Sequence, residues 1–79
     1  MKNIFWTTPS SKNTMTKSFP TGELEFLLKI QDSINTIYSS GSVKISYDSI
    51  PAENDFIIVL LEYKTPNVLF SFAQQYEAL

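Results

Sequence analysis

The chain has 79 residues, a net charge of −2, 43% apolar residues, no cysteine and no histidine. That length makes one small domain of modest stability, because roughly 60–65% of the surface of so short a chain can be buried. The absence of cysteine excludes a disulfide framework and a thiolate metal site. No run approaches the ~18 apolar residues of a membrane span, and six scattered lysines without a single arginine provide neither a basic stripe for nucleic acid nor a fork for phosphate.

Residues 1–9 carry one lysine and too short an apolar run for a signal peptide, which together with the lack of cysteine sets a cytoplasmic expectation. Within them, residues 3–8 read as a strand with Ile4 and Trp6 on one face and Phe5 and Thr7 on the other. Pro9 ends that strand, and Pro9-Ser10-Ser11-Lys12-Asn13 is turn chemistry. Residues 14–19 alternate again, Met15, Lys17 and Phe19 against Thr14, Thr16 and Ser18. Two readings stand for residues 1–20: a strand or hairpin, or a partly mobile polar arm.

Pro20-Thr21-Gly22-Glu23 reads as a helix entrance, with Thr21 as N-cap and Glu23 and Glu25 at the positive end of the helix dipole. Leu24, Leu27, Leu28, Gln31, Ile34 and Tyr38 then follow helical spacing, and Phe26, Ile30 and Ile37 widen the stripe as expected for a helix lying on a sheet. Glu25 and Lys29 form a supportive i,i+4 pair on the opposite side. Ser39-Ser40-Gly41 supplies the stop, with Gly41 near a left-handed position. Residues 42–48 form a strand with one wet face, Val43, Ile45 and Tyr47 alternating with Ser42, Lys44, Ser46 and Asp48, and so predict an outer strand or the solvent half of the sheet.

The most apolar stretch is Phe56-Ile57-Ile58-Val59-Leu60-Leu61-Glu62-Tyr63-Lys64, too short for a free-standing helix and rich in β-formers. As a strand it puts Ile57, Val59, Leu61 and Tyr63 on one side and Phe56, Ile58, Leu60, Glu62 and Lys64 on the other. Both sides of its first half call for cover, because each aliphatic side chain left in water forgoes roughly 1.5–3 kcal/mol. The loop at 49–55 is short, so strands 42–48 and 56–64 are expected to pair antiparallel, with Glu62 beside Lys44. Thr65-Pro66 opens a second helix, with Val68, Leu69, Phe72, Tyr76 and Leu79 on one face and Phe70 and Ala73 at its margin. A strand through Val68, Phe70 and Phe72 is the rival, but the propensity of residues 73–79 favours helix.

The expected fold is therefore α+β: a small, mostly antiparallel sheet in the order β-(β)-α-β-β-α with one or two helices packed on it, in a single domain over residues 1–79 whose αββα core begins at residue 21. Reactive equipment is sparse. Asp48, Glu53 and Asp55 share a loop but lack the spacing and glycine of a calcium site. Glu62 reads as a surface residue at a strand end rather than a general acid, serine nucleophiles have no histidine base, and Gly22 and Gly41 belong to helix ends rather than to a phosphate loop. No enzyme, cofactor or metal site is expected.

What remains is a surface. Phe5, Trp6, Tyr47, Phe56, Ile58 and Leu60 are the expected partner-binding residues of a small, non-enzymatic protein-binding module that presents an apolar, aromatic and acidic face to a protein partner or to a second copy. The Lys-, Ile-, Asn- and Ser-rich composition without arginine suits an AT-rich genome. By compositional analogy it points to a bacteriophage or mobile-element product that blocks a host protein. The alternative is a single-stranded nucleic-acid binder that stacks bases on an aromatic sheet face, disfavoured by the scarcity of basic residues.

Overall fold

The computed structural model describes residues 13–48 and 54–78 of the chain. Among them are β1 (Thr14–Pro20), a 3-10 turn (Thr21–Glu23), α1 (Leu24–Ile37), β2 (Val43–Tyr47), β3 (Phe56–Tyr63) and α2 (Pro66–Glu77). The three strands form one sheet in the order β1-β3-β2, with both pairs antiparallel. The α+β architecture is thus as the sequence implies, with two helices and an antiparallel sheet. The expected strand at 3–8 and most of the loop at 49–55 lie outside the described residues.

The last strand in the chain takes the centre of the sheet. β3 is the most apolar segment and gains most from neighbours on both edges. β1 and β2, which alternate with polar residues, flank it. Its inner side chains Ile57, Val59, Leu61 and Tyr63 are all buried, and every intervening residue is exposed. Both helices lie on that inner side. Leu27, Ile30 and Ile34 of α1 and Val68, Leu69, Phe72 and Tyr76 of α2 share one core with Met15, Phe19, Val43 and Ile45. Phe19 meets Tyr76 edge to face at 5.2 Å, and Phe26 tilts against the same ring at 6.3 Å.

Helix ends follow local chemistry. Thr65 caps α2 through its hydroxyl, which accepts from the Val68 amide, and Pro66 occupies the first turn. This settles 66–77 as helix rather than strand. Thr21 departs from expectation. Its hydroxyl donates to the Asn54 carbonyl at 2.9 Å and its amide to the Asp55 carbonyl at 2.8 Å, so it ties the start of the helix to the start of β3 instead of capping α1. Glu23 is likewise drawn away from a purely dipolar role, because Tyr76 Oη donates to Glu23 Oε1. After α1 the chain turns at Gly41, whose φ of 79° is a left-handed value that favours glycine.

The stripe of α1 is narrower than its sequence implies. Ile37 stands 67% exposed and Tyr38 is also exposed, because α1 ends at Ile37 and the chain turns away toward β2. Tyr38 Oη instead lies 2.7 Å from Ser71 Oγ of α2. Phe70, expected at the margin of the α2 face, points outward and is 54% exposed.

Candidate interaction surface

The outer face of the sheet is fixed by register. Glu62 lies between Thr14 and Lys44, Leu60 between Thr16 and Ser46, Ile58 beside Ser18, and Phe56 beside Pro20. Directly opposed residues share a face, so small hydroxyl residues of the edge strands flank a ridge of large apolar residues on the central one. Leu60, with a neighbour on each side, is 36% exposed. Ile58 and Phe56 extend past the end of β2 and are 61% and 62% exposed. A shallow depression of about 280 Å³ crosses all three strands here, lined by Thr16, Ser46, Tyr47, Asp48, Ile58 and Leu60.

This arrangement brings four of the expected surface residues together: Phe56, Ile58 and Leu60 on the ridge, and Tyr47 at its rim. By alternation Tyr47 belongs with Val43 and Ile45 on the covered side, but as the last residue of β2 it reaches past the helices and is exposed. Phe5 and Trp6 lie outside the described residues. The expectation that both sides of the central strand need cover resolves in one direction: α1 and α2 occupy the same side, and no described residue covers the other.

Charge is uneven along the ridge. Exposed Asp48 lines the depression beside Ile58 and exposed Asp55 precedes Phe56, so the Phe56 end is acidic. At the other end Glu62 shares the surface with Lys44 and Lys64, in an open hollow of about 370 Å³ that also includes Asn13, Thr14, Gly41 and Tyr63. The Asn13 amide donates to the Lys64 carbonyl at 2.9 Å and holds the start of β1 against the end of β3.

Sequence reasoning missed how the two edges of the sheet differ. In β2 three of the outward backbone groups, at Val43 and Ile45, are taken by side chains of α1. Asn35 accepts from the Val43 amide at 2.9 Å and donates to the Val43 carbonyl at 3.0 Å, while Gln31 accepts from the Ile45 amide at 2.7 Å. The match is geometric: four residues of helix rise about 6 Å, and two residues of strand span about 6.6 Å. A polar Gln31 inside an otherwise apolar stripe was the sequence signal for this contact. β1 has no such arrangement. The bonds Tyr63 N–H to Asn13 O and Thr21 N–H to Asp55 O fix the ladder phase, so Thr14, Thr16 and Ser18 direct their backbone groups away from β3. Among the described residues nothing pairs with them.

Among the described residues no group of three or more acidic, histidine or cysteine side chains could hold a metal ion, and Glu53 of the acidic loop is not described. No described helix is long and apolar enough to cross a membrane. Comparison with protein-family models, with curated proteins and with solved structures finds no match.

Proposed function

We propose that this protein is a small, non-enzymatic binding module that works by presenting the outer face of its sheet to another protein. The observation that supports this is the ridge Phe56-Ile58-Leu60 standing in water at the centre of a sheet whose other side is sealed. A soluble domain keeps such a contiguous patch at a cost, and patches of this kind mark docking sites. Aromatic and aliphatic anchors in the middle with polar residues around them is the anatomy of a protein interface.

The occupant is a protein surface with an apolar centre and basic residues on the side that meets Asp48 and Asp55, since among the described residues the charged groups at the Phe56 end of this face are carboxylates. The same acidity disfavours a nucleic-acid strand on this face: phosphates would meet Asp48, Asp55 and Glu62, with Lys44 and Lys64 grouped at one end. Action by occlusion is the form such binding takes in this reading, as in an inhibitor encoded by a phage or mobile element that covers a host protein's surface.

A photo-crosslinking side chain at Ser46, beside Leu60, tests the reading in cells of the source organism. It is expected to trap a protein whose contact surface is apolar with a lysine- or arginine-bearing rim, and Ile58→Asp is expected to abolish the crosslink while the far-UV spectrum is retained. Crosslinks that survive Ile58→Asp, or that form equally from a control position at Gln74 on α2, would overturn it.

A further inference from the structure

The open edge of β1 offers a second kind of contact, and we propose that two copies of this chain join there, β1 against β1 in antiparallel pairing, to form one continuous six-stranded sheet. Three observations lead to this. First, the edges are unequal: Asn35 and Gln31 take the Val43 amide and carbonyl and the Ile45 amide of β2, while the outward groups of Thr14, Thr16 and Ser18 meet no described residue. Unpaired strand edges are templates for pairing, and among the described residues the β1 edge is bare while the start of the β2 edge is covered, which gives the sheet a directed surface.

Second, the edge suits a twofold axis. With Thr16 opposite Thr16 of the second copy, Thr14 falls opposite Ser18 and Ser18 opposite Thr14, which makes three narrow pairs that each exchange two backbone hydrogen bonds. Cross-strand Thr–Thr and Thr–Ser pairs are favourable. In that register each Lys17 lies opposite Met15 of the second copy, so no two lysines are directly opposed.

Third, the pairing narrows a shortage of area. Three strands at about 4.8 Å spacing and seven residues at about 3.3 Å rise give the lone sheet a face of roughly 330 Å². A stable interface buries about 800 Å² on each side. Joining at β1 doubles the outer face and sets two Phe56-Ile58-Leu60 ridges on the same side, about 14 Å apart across three strand spacings. This third point rests on the reading of the outer face as a docking surface; the first two stand without it.

Sedimentation of the full chain from micromolar to millimolar concentration, together with amide exchange by NMR, tests the proposal. The mass is expected to rise from one chain to two, with exchange at Thr14, Thr16 and Ser18 slowing by about tenfold or more as the dimer forms. Thr16→Pro deletes an outward N–H that the β3 ladder does not use, a place where an edge strand tolerates proline; it is expected to stay monomeric, while Ile58→Asp dimerises as the parent does. A single chain at every concentration, exchange at these amides that is slow independently of concentration, or a Thr16→Pro variant that still pairs would each overturn it. Loss of the dimer in Ile58→Asp but not in Thr16→Pro would also overturn it, and would leave the outer face as the contact. Dimers that persist when the Ser46 crosslink fails would sink the docking reading and leave this one standing.

Discussion

Tyr63 ends the buried row of β3 with its hydroxyl enclosed, and among the described residues nothing hydrogen-bonds it. Burial alone holds its pKa above the usual tyrosine value. An unpartnered buried hydroxyl costs about 1–3 kcal/mol, so Tyr63→Phe is expected to raise stability by about 1 kcal/mol in urea denaturation, with the m-value unchanged. Tyr76 is the contrasting case. Its hydroxyl is paired with Glu23, and desolvation, that hydrogen bond and the nearby carboxylate push its pKa up to about 12. Because the folded value exceeds the unfolded value of about 10, this contribution is complete below pH 10 and disappears as pH rises toward 12. Melting temperature should therefore fall across that window, and Tyr76→Phe should flatten part of the fall while costing about 1–2 kcal/mol at neutral pH. The burial of both rings was legible from the spacing of apolar residues. Their hydroxyl partners were not, because Glu23 and Tyr76 are 53 residues apart and meet only when α2 folds back over the 3-10 turn.

Among the elements, α1 has two jobs. Its apolar face packs on the sheet, and its Gln31–Asn35 pair covers the start of the β2 edge at Val43 and Ile45. Asn35→Ala leaves the Val43 amide and carbonyl without their side-chain partners and is expected to cost about 1–3 kcal/mol. It should also bare more of the β2 edge, so light scattering on the variant is expected to show larger species than the parent forms at the same concentration. The α2 cap is simpler: Thr65→Ala should lower stability by about 1 kcal/mol in thermal or chemical unfolding. The sequence marked this cap correctly because Thr-Pro before an apolar period is a local signal. It misassigned Thr21 because a threonine before a helix can bond forward or sideways. The carbonyls of Asn54 and Asp55 that take its hydroxyl and amide come from more than thirty residues away.

For the whole molecule the decisive feature is asymmetry between layers. Among the described residues two helices pack on one face of three strands and none on the other, so a substitution's effect depends on which side of β3 it falls. Ile58→Asp or Leu60→Glu should change folding stability by no more than about 0.5 kcal/mol, as for a surface site, and should raise solubility. Val59→Ala or Leu61→Ala, one residue away, should cost about 2–5 kcal/mol. Urea titrations of the paired variants give the comparison directly. Equal costs on the two sides would mean that something also packs on the outer face.

By itself the sequence determined the elements and their faces: two amphipathic helices, a half-wet strand at 42–48 and a central strand apolar on both sides. These follow from periodicity and from residues that act within a few positions of themselves. Tertiary structure decided the rest. Among the described strands the last lies between the other two, both helices lie on one side, and α1 covers the start of the β2 edge. None of this has a local signal, because each depends on which surfaces compete for the same limited cover. Among the described residues two short helices share one three-stranded sheet and both take the same face, so Phe56, Ile58 and Leu60 are left on the outer one.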